Sequence, residues 1–235
     1  MRIYKVIFTS LILSTLAHAE ITGEGRIGIG GVYSQKDIPT QTSNTDVKDY
    51  GGYLAITGDT IFLKRLKTGA NIDLGIGPNT RSNPFSFIDY SIKLGFNIAS
   101  LDNPFWINIG LVGSHYGNGT RKNNGIDTEY LASSIGIEGR IKANEKLRYE
   151  YSADYDYISS KEYAASSNNS TTTHYNTANG GDYGIRASLG FSVQLKEDLF
   201  YYVKLRAKYQ NITYNPAFPT TQNLVGMVEI GIGGR

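Results

Sequence analysis

Thr68-Gly69-Ala70-Asn71-Ile72-Asp73-Leu74-Gly75-Ile76-Gly77 decides how this chain folds. Ala70, Ile72, Leu74 and Ile76 are apolar, while Gly69, Asn71, Asp73 and Gly75 are small or polar. Successive side chains of a β-strand point to opposite faces, so the segment has one greasy face and one polar face. The same alternation recurs until the chain is used up. Ile88, Tyr90, Ile92, Leu94 and Phe96 alternate with Asp89, Ser91, Lys93, Gly95 and Asn97. Leu147, Tyr149, Tyr151, Ala153, Tyr155 and Tyr157 alternate with Arg148, Glu150, Ser152, Asp154, Asp156 and Ile158. Tyr183 to Leu195 sets Ile185, Leu189, Phe191 and Val193 against Arg186, Ser188, Ser192 and Gln194. Many such strands of about 10 residues behind an export signal are the pattern of a transmembrane β-barrel.

The export signal is read from Met1 to Ala19. Arg2 and Lys5 precede an apolar run from Val6 to Leu16, and Ala17-His18-Ala19 is a small-x-small cleavage site. The chain therefore divides into a signal peptide at 1–19 and a barrel at 20–235. The apolar run is too short to span a bilayer as a helix, which needs roughly 20 residues. With 0 cysteines, disulfides, thiol chemistry and cysteine metal sites drop out. Without Arg2 and Lys5 the 23 basic residues fall to 21, matching the 21 acidic ones. A neutral chain gives no electrostatic argument for nucleic acid. The negative mean hydropathy fits a barrel, in which about half of the strand residues face a polar lumen.

Alternation and turn signals together predict an all-β, single-domain, antiparallel up-and-down barrel of about ten strands, with eight and twelve left open. The strands fall near 22–34, 49–62, 68–77, 85–97, 104–116, 128–142, 147–158, 182–195, 199–212 and 222–234. Links at 63–67, 98–103, 143–146 and 196–198 are short. Those at 35–48, 78–84, 117–127, 159–181 and 213–221 are mostly longer, and the two kinds alternate strictly. Outer-membrane barrels pair tight periplasmic turns with long external loops in this way. Pro39, Pro78, Pro84, Pro104, Pro216 and Pro219 all sit in links or at strand ends, where no ladder N–H is lost. Phe62, Phe96, Phe105, Tyr149, Phe191 and Tyr201 form one expected interfacial girdle. Tyr33, Tyr50, Tyr90, Tyr155, Tyr157 and Tyr183 form the other. The loop Ser159 to Gly181 carries the polar run Ser166 to Thr173 and is expected to be mobile and external.

By this architecture and pattern, rather than by a specific motif, the chain resembles the small bacterial outer-membrane β-barrel proteins of the opacity, OmpX-like and OmpW-like types. The resemblance covers essentially all of Glu20 to Arg235. It implies location in the outer membrane, contact with its lipid, insertion by the outer-membrane assembly machinery, and a role in adhesion, envelope integrity or small-solute passage. One departure stands out. Such proteins usually end in an aromatic residue, and this chain ends Ile230-Gly231-Ile232-Gly233-Gly234-Arg235.

Lumen parity selects the residues that could carry chemistry: Arg26, Asp89, Lys93, Glu138, Arg140, Lys142, Arg148, Glu150, Asp154, Asp156, Arg186, Lys204, Arg206 and Glu229, with Glu24, Asp73 and Lys208 on the same face. Neighbouring strands set Arg140 and Lys142 near Glu150, and Asp154 and Asp156 near Arg186. A lumen of about ten strands can be largely filled by side chains, whereas open channels appear near 16 strands. The expected arrangement is a salt-bridged polar plug, and the alternative is a narrow pore with opposed acidic and basic walls.

Enzyme chemistry finds less support. Outer-membrane proteases of the omptin family use an Asp pair facing an Asp–His pair. Asp154-Tyr155-Asp156 offers the first, but no Asp-x-His occurs. His115 has lipid-facing parity beside Ser114, and His174 falls in the long loop. Neither meets the mutual geometry that nucleophilic catalysis requires. No metal-ligand spacing occurs, no cofactor is expected, and Gly23-Glu24-Gly25-Arg26-Ile27-Gly28 is no dinucleotide loop because no helix follows. The expected role is structural or surface-interacting, with external loops available to a host or surface ligand. A narrow solute pore ranks second and a hydrolase third.

Overall fold

The computed structural model describes residues 21–39, 43–63, 65–80, 84–118, 126–166, 172–176, 181–214 and 219–235. The leader at 1–19 and residues 167–171 of the polar run lie outside them. The strands are β1 Ile21–Pro39, β2 Asn44–Phe62, β3 Leu66–Pro78, β4 Pro84–Asn97, β5 Phe105–Asn118, β6 Ile126–Lys142, β7 Leu147–Ser166, β8 Thr172–Asn176, β9 Tyr183–Lys196, β10 Leu199–Ile212 and β11 Thr221–Gly234. Ten of them form a closed antiparallel ring, sealed where β1 pairs β11. The short β8 stands outside the ring and pairs the far part of β7. Closure leaves no sheet edge, so the wall's backbone groups are satisfied within lipid.

Short turns join β2–β3, β4–β5, β6–β7 and β9–β10 at one end, called here the turn end. The opposite, loop end is uneven. β1 and β2 have 19 residues each and β7 has 20, against 14 in β9, β10 and β11. At about 3.3 Å per residue and about 40° of tilt, a 14-residue strand rises about 35 Å and a 19-residue strand about 48 Å. Two hairpins therefore stand about 10–15 Å proud of the rim.

Two expected external loops are corrected here. Residues 35–48 are mostly the top of the β1–β2 ladder, which runs to Pro39 opposite Asn44. Residues 159–166 continue β7, and 172–176 form β8. Beyond the lipid band no apolar phase selects one face, so alternation fades while backbone pairing continues. β7 also carries a bulge. Ala132 opposes Ile158 but Leu131 opposes Ser160, so Ser159 is an extra residue. Inward parity therefore switches from even to odd, and Lys161 and Tyr163 are buried as Ile158 is.

The outward face is a band of exposed side chains including Ile27, Ile56, Ile72, Ile92, Leu111, Ile135, Leu189 and Leu205. Aromatic contacts mark its margins: Tyr33 with Tyr50 at 5.3 Å, Tyr155 with Tyr183 at 5.9 Å, and Phe105 with Tyr151 at 6.4 Å between ring centroids. Several glycines sit directly opposite rings that occupy their missing side-chain space. A Cβ on Gly75 would come within 2.0 Å of the Phe87 ring, and one on Gly30 within 2.5 Å of Tyr53.

Candidate functional site

The lumen holds most of the charge in the wall, and its ion pairs run across the bore. Ring order is β1, β2, β3, β4, β5, β6, β7, β9, β10, β11. Lys208 on β10 reaches Asp89 on β4, five places away and so diametrically opposite, at 3.0 and 3.1 Å. Arg140 on β6 reaches Glu24 on β1, also five places away, at 3.2 Å, and Asp59 on β2 at 2.7 Å. Arg26 on β1 grips Glu150 on β7 with both terminal nitrogens, at 2.6 and 2.7 Å. Arg206 on β10 holds Asp73 on β3 through both carboxylate oxygens and Glu229 at 3.2 Å. Lys93 contacts both oxygens of Asp154 at 2.7 Å. Arg186 donates to Asp156 at 2.6 and 2.9 Å, and Lys67 pairs with Glu138. Most of these pairs are struts that fix the spacing of two distant strands, whereas Arg186–Asp156 and Arg206–Glu229 join neighbours in the wall. Between them remains a cavity of about 150 Å³, room for on the order of ten waters.

Apolar and aromatic layers cap the charged zone at both ends. At the turn end Trp106 is 2% exposed and Phe200 1%. Arg140 and Lys67 lie over the Trp106 ring at 5.3 and 4.7 Å, and Arg26 and Arg235 over Phe200 at 5.2 and 5.3 Å. Toward the loop end, one cluster packs Val32, Tyr53, Ala55, Phe85, Phe87, Tyr116, Val225 and Met227. A second packs Val112, Tyr130, Ala132, Ile158, Tyr163, Ile212 and Tyr214. Tyr53 of the loop-end cluster and Tyr202 from the turn-end side both donate their hydroxyls to Glu229, at 3.2 and 2.6 Å, joining the layers. Above them Asp49, fully buried, accepts from Ser34 at 2.6 Å and from Tyr116 at 3.0 and 3.1 Å. The Lys36 ammonium lies 3.3 Å from the Tyr116 ring centroid.

The structure brings together Arg26, Asp89, Lys93, Glu138, Arg140, Glu150, Asp154, Asp156, Arg186, Arg206 and Glu229 as ion-paired lumen residues. Three others behave differently. Lys142 is exposed at the turn-end rim and Arg148 is half-buried there, and neither forms an ion pair among the described residues. Lys204 faces the cavity and forms no ion pair among the described residues. Arg140 sits opposite Glu150 in register yet bonds Glu24 and Asp59, because Arg26 occupies Glu150. Asp59 and Lys67 were missed. Asp59 lies on a glycine-rich strand with weak alternation, and Lys67 falls in a segment read as turn. The inward aromatic layer was missed as well, although Phe85 and Phe87 share parity with Asp89. His115 is on the outer face of β5, away from Asp154 and Asp156.

No protein-family model and no curated protein matches the sequence. Among solved structures, the outer-membrane protease OmpT of Escherichia coli matches with a TM-score of 0.70, covering 90% of this chain and 96% of its own at 8% identity. The fold is that of an outer-membrane β-barrel. Neisserial surface protein A matches with a TM-score of 0.41 at 8% identity, over 89% of this chain and 96% of its own. Ail, the attachment invasion locus protein of Yersinia pestis, matches with a TM-score of 0.34 at 14% identity, over 90% and 97%. At such scores the last two carry no argument, and at 8% identity the first speaks to fold alone.

Proposed function

We propose that this chain is an outer-membrane barrel with a structural or surface-interaction role and a lumen closed to solutes. Residues 1–19 direct export and are removed. The outer-membrane assembly machinery inserts the barrel with its turn end in the periplasm, and the tall hairpins meet surface ligands outside. The observation that carries the closed lumen is the set of struts across it, with Lys208–Asp89 and Arg140–Glu24 joining diametrically opposed strands. We read the barrel as non-enzymatic. The support is His115 on the outer face and the commitment of Asp154 and Asp156 to Lys93 and Arg186.

Reconstitution into planar bilayers tests the closed lumen. A struts-filled bore gives no stable unitary conductance, and reproducible steps in the unmodified protein would overturn it. The internal cavity favours a second reading, a narrow pore, which the same recording detects.

A further inference from the structure

The charge balance along the bore is uneven. Nine carboxylates face inward in the strutted zone, from Glu24 to Glu229, against eight cations that include the unpaired Lys204. The deficit reverses at the turn-end rim, where Arg235, Arg148 and Lys142 add three positive charges. Among the described residues Arg235 alone of the three is ion-paired, with Glu24 at 3.1 Å. Lys142 and Arg148 occupy one rung of the β6–β7 ladder, directly opposite each other. Both extend from the inward face, since they share parity with the buried Arg140 and with Glu150. Like charges on one rung repel and destabilise the hairpin. The neighbouring carboxylates do not relieve this. Glu24 is taken by Arg26, Arg140 and Arg235, and Glu150 by Arg26 and Ser192. Glu145, Glu197 and Asp198 in the adjoining turns form no ion pair with either cation among the described residues. Arg148 is half-buried at the mouth and also feels the charges of Arg235 and Arg140.

We propose that Lys142 and Arg148 form an oxyanion-binding cradle at the turn-end mouth, taking a phosphate or carboxylate group between the guanidinium fork and the ammonium. A planar fork beside a point cation suits a tetrahedral or planar oxyanion. Because both side chains leave the inner face of the wall, the ligand enters at the mouth from the aqueous side rather than from the surrounding lipid headgroups. The inference goes beyond the closed-lumen reading and does not depend on which way the barrel is oriented.

Isothermal titration of the folded barrel in a neutral detergent with inorganic phosphate, at constant ionic strength, tests it. Folding of each variant is checked by heat-modifiable gel mobility. Arg148→Gln and Lys142→Gln each weaken phosphate binding about tenfold, and the double variant removes it. Lys48→Gln, which deletes the same charge at the loop end, leaves binding unchanged. No phosphate binding to the unmodified barrel with a Kd of about 1 mM or tighter, about 4.1 kcal/mol of binding free energy, overturns the cradle. So does equal weakening by Lys48→Gln. Binding to phosphatidylglycerol vesicles without binding of free phosphate also overturns it, by assigning the cations to lipid.

Discussion

Glu150→Ala removes the carboxylate that Arg26 holds at 2.6 and 2.7 Å. The two side chains are 13% and 7% exposed, so the pair is largely desolvated. Arg26 keeps Glu24, 2.8 Å from its Nε, but Glu24 already takes Arg140 at 3.2 Å and Arg235 at 3.1 Å. One carboxylate then answers three guanidiniums. Removing one partner of a buried pair costs about 3–5 kcal/mol, and the retained Glu24 contact with cavity hydration lowers the expectation to about 2–3 kcal/mol. Urea unfolding in lipid vesicles, followed through the fluorescence of the single tryptophan, Trp106, reads this loss. With a slope of about 2 kcal/mol per molar urea, the midpoint falls by about 1–1.5 M. Conductance should appear or grow, because a strut between β1 and β7 is gone. Adding Arg26→Met recovers most of the stability, since the stranded cation leaves with its partner. If Glu150→Ala changes neither the midpoint nor the conductance, Glu150 is solvated and the plug is refuted in favour of an already open pore.

Other perturbations report on other layers. Tyr116→Phe leaves Asp49 with Ser34 as its remaining hydroxyl donor and lowers stability by about 1–3 kcal/mol in the same urea assay, and an unchanged midpoint refutes the contact. Gly75→Ala pushes the new methyl into the Phe87 ring and costs about 1–3 kcal/mol, with Phe87→Leu in the same chain restoring part of it. Leu63, at φ 51° in the β2–β3 turn, pays for a left-handed backbone. Leu63→Gly therefore raises stability by about 1 kcal/mol, read as a higher urea midpoint.

Fold was legible because lipid imposes a strict parity. The even positions of 70–76 had to face one way, and the structure exposes all four. The glycine-rich β1, β2 and β11 read weakly from sequence, since glycine erases the apolar half of the pattern. They nonetheless form full ladders. Gly30 lacks a side chain because Tyr53 lies over it, so the missing signal belonged to the neighbouring strand. The inward aromatics escaped notice for a different reason. Parity says which face a residue occupies but not its height, and above the charged zone apolar side chains are buried in the lumen as in a soluble core. Phe85, Phe87 and Tyr116 pack there as they would in any protein interior. The bulge at Ser159 was invisible for a third reason. It falls where no alternation existed to be interrupted.

Partners within the lumen were the least legible part, and they decide whether the bore can conduct. Strands consecutive in the up-and-down order are neighbours in the wall, so sequence can pair Asp154 with Arg186 across one rung. Lys208 and Asp89 lie 119 positions apart and meet only because the ring closes. Such contacts depend on circumference and height together, which no local pattern encodes. Their direction across the bore has an energetic consequence. A solute moving end to end must pass the Arg140–Glu24, Arg206–Asp73 and Lys208–Asp89 struts, which occupy the space it needs. Opening one strut without a replacement partner costs about 3–5 kcal/mol. Three opened together cost roughly 10 kcal/mol, which slows passage by about 10⁷-fold relative to an unobstructed bore. A conducting form of this barrel therefore requires that the struts exchange partners along the wall rather than simply part. Lys93, on the same strand as Asp89, is already bound to both oxygens of Asp154 and cannot take Asp89 without giving that partner up. Lys204, which faces the cavity without an ion pair among the described residues, is the cation left to receive a displaced carboxylate, so an opening by partner exchange runs through it.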